Sequence, residues 1–166
     1  MTKPKFFLTI PALLALNGRI SRLQYFVYGL IIAAILLLGF GTVVAMAGNG
    51  LSANPAVQTM IYVVVMSAFL WALVCLYAKR LHDLGWSAIW CVVALFDLPV
   101  DIVLNLVSLV TPVYETAWNF SNGLSTIGNV TAMIMGLILT FRRGQRGPNR
   151  YGPDPLQPPQ TDTSVF

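Results

Sequence analysis

Long apolar runs dominate the chain, and each has the length that a membrane-spanning helix needs. Crossing the hydrocarbon core of a bilayer takes about 20 predominantly apolar residues in a helix. Four runs reach that length, separated by polar or basic stretches: residues 25–47, 57–78, 86–110 and 123–141. The pattern predicts an all-α integral membrane protein, a bundle of four transmembrane helices that forms a single membrane domain over residues 17–146.

Composition supports the same class. Of the 166 residues, 57% are hydrophobic and only 10% are charged, whereas soluble domains contain about 25% charged residues. A soluble chain of this length has too little interior to bury so much apolar surface. Composition therefore argues against a soluble domain.

The two ends of the chain differ from the runs between them. In residues 1–16, Lys3 and Lys5 precede a short apolar stretch that Pro11 interrupts, and no clear small-residue cleavage site follows. We therefore expect a cytoplasmic or interfacial segment rather than a signal peptide. Residues 147–166 are rich in proline and lack apolar periodicity, which predicts a turn followed by a flexible cytoplasmic tail.

The basic residues are distributed asymmetrically around the predicted helices. All ten lysines and arginines lie before the first helix, between the second and third, or after the fourth. The two other loops, 48–56 and 111–122, contain none. Because short loops rich in lysine and arginine stay on the cytoplasmic side, we expect both termini to be cytoplasmic.

Three motifs flank the apolar runs: NGRISRLQYF at 17–26, KRLHDLGWSAIW at 79–90 and GPNRYGPDP at 147–155. In this order they resemble the family catalogued as domain of unknown function 805. The resemblance implies a multi-pass protein of the bacterial inner membrane with no agreed biochemical activity. The 56 residues between Trp90 and Gly147 leave room for two spans, which supports four helices here.

The same motifs supply a candidate polar site on the predicted cytoplasmic face. Basic side chains are attracted to the negatively charged inner leaflet, and the planar guanidinium of arginine suits phosphate oxygens. Generic anchoring by positive charge and a specific anion or lipid-headgroup pocket both fit this pattern. We expect Asp83 to pair with Arg19 or Arg22, and His82 to cap carbonyl groups at its helix end. The candidate residues are Arg19, Arg22, Arg80, His82, Asp83, Asn149, Arg150 and Tyr151.

A second candidate polar site lies within the third apolar run. Asp97, Asp101 and Asn105 are four residues apart and share one helix face. If the helix is straight, Asp97 lies near the bilayer midplane and the aspartates form a proton or cation site, since charges there are costly and usually functional. If it ends near Pro99, which we favour, both aspartates are wet at the outer surface.

The fourth predicted helix carries a stripe of small residues that includes Gly128, Ala132 and Gly136. Small residues at this spacing let two helix backbones approach closely. The stripe predicts either packing within the bundle, which we favour, or a homo-oligomer.

Three classes of function remain open. The leading hypothesis is a non-enzymatic scaffold, or a protein that binds a partner or anionic lipid through its basic face. The alternative is a transporter or channel subunit for a small solute, proton or cation that uses Asp97 and Asp101. The third is a membrane enzyme acting on a lipid.

Catalytic and cofactor motifs are not visible. His82 and Asp83 are adjacent, so they do not face each other on a helix, and we assign no catalytic residue. There is no glycine-rich nucleotide loop, and two cysteines and one histidine on separate segments fall short of a zinc site. We therefore expect no cofactor, membrane lipids as partners, and no nucleic acid.

Overall fold

The computed structural model describes residues 7–48 and 54–157, and within these ranges the chain forms helices and no β-strand. The N-terminal residues 1–6 and the predicted tail from residue 158 lie outside the described part. The helices are α1 (Ile10–Leu13), α2 (Arg22–Gly48), α3 (Pro55–Asp83), α4 (Cys91–Leu95), α5 (Asp97–Val107) and α6 (Glu115–Phe141), with a short 3-10 turn at Ala88–Trp90.

Three of these helices, α2, α3 and α6, are long and apolar enough to cross a membrane. A fourth candidate span combines α4, its preceding 3-10 turn and α5, which are bent by 60° relative to each other. The predicted all-helical class is thus confirmed for the described residues, with three to four candidate spans.

The burial pattern is the reverse of that in a soluble protein. Only 17%, 11% and 17% of the most apolar windows of α2, α3 and α6 are buried within the protein. Leu37 and Leu38 on α2 are each 72% exposed, whereas Lys79 and Arg80 on α3 are 2% and 0% exposed. Apolar side chains outside and satisfied polar groups inside are what a lipid environment favours.

The predicted helix over residues 86–110 is broken rather than continuous. The break falls at Phe96, and Pro99 is the third residue of α5. Proline has no N–H group and its ring clashes with the carbonyl four residues earlier, here that of Leu95. It is tolerated in the first turn of a helix, where N–H groups have no intrahelical partner. The break therefore precedes the proline, and α5 continues through it to Val107.

The other helix boundaries differ from the predicted ones at their polar ends. The helix predicted to end at residue 78 continues to Asp83, so α3 carries the first half of the second motif. The helix predicted to begin at 123 already begins at Glu115. Apolar run length misses these turns because polar residues interrupt the apolar pattern there while the backbone stays helical.

The tightest packing lies at one end of the bundle, where α2 begins and α3 and α6 end; we call this the motif end. Ile20, Leu76, Leu81 and Leu139 are almost completely buried there. The short α1 lies against α3 at this end, because the ammonium group of Lys79 donates hydrogen bonds to carbonyl oxygens at and just after the end of α1.

Candidate functional site at the motif end

Asp83, the last residue of α3, is the centre of a buried cluster of charges. One of its carboxylate oxygens accepts hydrogen bonds from Nε and Nη2 of Arg19 at 3.2 and 3.0 Å. The other oxygen accepts one from Nη1 of Arg80. The partner of Asp83 is therefore Arg19 and not Arg22, whose guanidinium instead donates to the carbonyl of Phe141 at 3.4 Å.

Arg80 also caps the carboxyl end of α6. Its Nε donates to the carbonyl of Leu139 at 2.7 Å, and its Nη2 donates to that of Arg142 at 2.5 Å. The last carbonyl groups of a helix have no intrahelical partner, and a cation there is stabilised by the helix dipole. Arg80 thus ties the end of α3 to the end of α6.

Arg19 binds the segment that follows α6. Its Nη atoms donate to the carbonyls of Gln145, Gly147 and Gly152 at 2.6, 2.7 and 3.3 Å. With the two bonds to Asp83, these account for all five N–H groups of a guanidinium. Since the donors of Arg19 are fully used within the chain, this side chain has a structural role and none left for an external anion.

The second and third motifs are stacked on each other. The His82 ring lies parallel to the Tyr151 ring, with centroids 3.8 Å apart. The Nδ1 atom of His82 faces the Gly18 carbonyl at 3.3 Å, and Asn149 donates to the His82 carbonyl at 2.9 Å. The expectation that His82 caps carbonyls of its own helix is therefore wrong. Arg150 lies over the Tyr151 ring at 4.6 Å.

Gly144 lies directly against the carboxylate of Asp83. A Cβ atom built on Gly144 falls closer to this carboxylate than real Cβ atoms approach other atoms. The next residue, Gln145, donates its backbone N–H to the carbonyl of Asp83 at 2.8 Å. The backbone after α6 can reach Asp83 this closely because residue 144 has no side chain.

A cavity of about 280 Å³ opens beside the Asp83 cluster, between the start of α2 and the segment after α6. Three arginines line its outer part, Arg22, Arg143 and Arg146, while Arg80 and Asp83 contribute to its inner wall. Asp154 lines it as well.

Asp154 is held in place by the turn around it. The backbone N–H groups of Leu156 and Gly147 each donate to the Asp154 carboxylate at 2.9 Å. These hydrogen bonds lower the pKa of Asp154 below its usual value. The side chains that line the cavity thus include four arginines and two carboxylates, and one of these carboxylates is already paired with Arg19 and Arg80.

A family model described as "Protein of unknown function (DUF805)" matches residues 13–153, which hold the first two motifs and most of the third. The chain belongs to this family. The suspected resemblance is thereby confirmed. No curated protein and no solved structure matches the chain.

The polar residues predicted within the third span of this DUF805 protein do not form one site. Asp101 accepts a hydrogen bond from the hydroxyl of Tyr62 on α3, and the Asn105 amide donates to the Asp101 carbonyl at 2.9 Å. Asp97 lies against Gly128 of α6 and is only 8% exposed. The favoured expectation that Asp97 is exposed to water is therefore wrong. Asp97 follows the bend at Phe96, and its side chain lies in the contact between α5 and α6.

The stripe of small residues on α6 makes contacts within the chain. Gly128 accommodates the Asp97 side chain, and a Cβ atom on Gly136 would lie 3.7 Å from the Tyr77 hydroxyl of α3. Ala132, between them, is half-buried. These contacts favour the role of the stripe in bundle packing, as expected, without requiring a second copy of the DUF805 chain.

Arg146 lines the cavity although the sequence did not single it out. Arg143, in the same basic segment, belongs with the arginines that the sequence places around the inner end of the bundle. The position of Arg146 directly before the GPNRYGPDP motif is the feature of the sequence that could have indicated it. In the described part of the chain, no group of three or more His, Cys, Asp or Glu side chains is arranged to hold a metal ion.

Proposed function

We propose that this DUF805 protein is a non-enzymatic protein of the bacterial inner membrane that binds a phosphate-bearing anion at its cytoplasmic motif end. The observation that carries the proposal is the cavity lined by Arg22, Arg143 and Arg146. Anionic lipid headgroups and soluble phosphate compounds share this chemistry.

The arginines at the motif end fall into two groups, and this difference supports the proposed site. Arg19 and Arg80 are buried and hold the fold together through Asp83 and backbone carbonyls. The guanidinium groups of Arg143 and Arg146 make no hydrogen bond or ion pair with the described residues, and that of Arg22 makes one. Arginine binds phosphate through paired, charge-assisted hydrogen bonds, so these three side chains retain the donors that a phosphate group needs.

Binding of the anion is tested by its effect on stability in mild detergent. A ligand that binds only the folded state raises the unfolding temperature, so phosphate should stabilise the protein more than chloride at equal ionic strength. Combined replacement of Arg22, Arg143 and Arg146 by glutamine should reduce this difference to the general effect of phosphate as a kosmotropic salt. The matched control is Arg150→Gln, which removes an arginine outside the cavity and should preserve the difference.

The proposal is wrong if phosphate and chloride stabilise the wild-type protein equally, or if the triple variant responds to phosphate as the wild type does. A loss of the response in Arg150→Gln as large as in the triple variant would point to general surface charge instead of the cavity.

We propose that the motif end faces the cytoplasm. All lysines and arginines either precede α2 or lie at the helix ends of the motif end, and basic residues favour the cytoplasmic side. We expect an impermeant thiol reagent to label Thr111→Cys on intact spheroplasts, and Gln157→Cys only after permeabilisation. The native Cys75 and Cys91 are buried, so the parent chain gives the background. The reverse labelling pattern would place the motif end outside.

A further inference from the structure

We infer that the anion bound at the motif end is a phospholipid, with its phosphate in the arginine cavity and an acyl chain in an apolar groove between α2 and α6. The inference rests on the proposed function and names the class of ligand. It is carried by a second cavity of about 350 Å³ that borders the first.

The two cavities share part of their walls. Ser21, Arg22 and Leu156 line both, so Arg22 stands where the charged cavity passes into the groove. Beyond that point the groove is lined by Leu23, Phe26 and Thr140. The two adjoining cavities thus change from several guanidinium groups to mostly apolar side chains, which matches the two ends of an amphiphilic anion.

The spacing of these side chains matches the headgroup layer of a membrane. Phe26 follows Arg22 by four residues, which places it about 6 Å further along the helix axis. The headgroup layer on each side of a bilayer is about 5–8 Å thick, from the difference between total and hydrocarbon thickness. A phosphate beside Arg22 therefore has its acyl chains starting at the level of Phe26.

The groove lies where lipid is available. Leu23 and Phe26 are 61% and 50% exposed on a helix that is long and apolar enough to span a membrane. Leu156, in the turn that closes the motif end, is 75% exposed and borders both cavities. An exposed leucine beside three arginines suits a position at the boundary between headgroups and acyl chains.

Charge favours an anionic lipid over two other occupants of such a groove, a second copy that approaches with its own motif end and a zwitterionic lipid. A second copy of the chain would bring its own positively charged motif end against Arg22, Arg143 and Arg146. A zwitterionic lipid adds no net negative charge to offset these side chains. An anionic phospholipid supplies both negative charge to offset the excess of arginines in the cavity and an apolar chain that the groove accepts.

The test measures retention of phosphatidylglycerol by the purified protein, using native mass spectrometry after exchange into mild detergent, with phosphatidylcholine and glycerol phosphate as comparison ligands. We expect preferential retention of phosphatidylglycerol, a reduction of about tenfold or more in the triple arginine variant, and a severalfold reduction in Leu23→Trp, which fills the groove. Leu30→Trp, on the same helix outside the groove, is the matched control and should retain the lipid.

The variants distinguish the binding of an acyl chain in the groove from the binding of an anion in the arginine cavity. If Leu23→Trp retains phosphatidylglycerol as Leu30→Trp does, or if glycerol phosphate binds as well as the lipid, the acyl-chain groove is wrong while the anion site stands. If the triple arginine variant retains the lipid and its response to phosphate, both are wrong. If Leu23→Trp fails to fold, Phe26→Ala tests the same groove by removing contact area.

Discussion

Replacing Asp83 with asparagine should destabilise the protein by about 3–5 kcal/mol, the range for removing one partner of a buried ion pair. The substitution keeps the shape of the side chain and removes its charge. The guanidinium groups of Arg19 and Arg80, 8% and 0% exposed by residue, then remain buried without any carboxylate partner. The measurement is the free energy of unfolding by SDS titration in mixed micelles, followed by tryptophan fluorescence.

The matched control is Asp101→Asn. Asp101 is only half-buried, and an asparagine in its place still offers an oxygen to the Tyr62 hydroxyl. We expect a cost within the range of about 0.5–1.5 kcal/mol for one ordinary hydrogen bond. An Asp83→Asn protein as stable as the Asp101→Asn protein would contradict the role assigned to the cluster.

A double-mutant cycle identifies which arginine holds Asp83. Arg19→Gln combined with Asp83→Asn should lose less stability than the sum of the single changes, because the two side chains are in contact. Arg22→Gln combined with Asp83→Asn should be additive within about 0.5 kcal/mol. Equal coupling for the two arginines would show that the hydrogen bonds to Arg19 do not determine the pairing.

The sequence predicts that Asp83 pairs with an arginine of the first motif, but not which arginine. Helix spacing and the three motifs were sufficient to place Asp83 near an arginine from the first motif. The choice of Arg19 over Arg22 depends on the backbone conformation. Arg22 is the first residue of α2, and its guanidinium donates to the end of α6 instead. Gly18, with a φ of +95°, directs the chain just before Arg19. That conformation is not encoded in hydrophobic periodicity.

The sequence predicts the geometry of the third span less well, because that geometry also depends on local backbone conformation and on helix packing. Apolar run length treats residues 86–110 as one element, whereas the bend at Phe96 is local and depends on where Pro99 falls in a turn. The contact between Asp97 and Gly128 joins residues 31 positions apart on different helices. Such contacts depend on how helices pack, so a single sequence indicates the residue types but not which of them meet.

Replacing Gly144 with alanine should also be strongly destabilising, although it adds a single methyl group. The new Cβ atom would overlap the carboxylate of Asp83, which its hydrogen bonds to Arg19 and Arg80 hold in place. Gly144 does not have a positive φ angle, so its backbone accepts alanine and the effect can be assigned to the overlap. Overpacking of this kind costs about 1–3 kcal/mol, and sometimes more.

Gly123→Ala on α6 is the matched control, because a Cβ atom there meets nothing within 4 Å. Alanine should be neutral at that position or stabilise the helix by up to about 1 kcal/mol. In an Asp83→Ala background the cost of Gly144→Ala should shrink, since the overlapping carboxylate is gone. If Gly144→Ala is no more harmful than Gly123→Ala in the same SDS titration, the backbone after α6 does not pack against Asp83 as described.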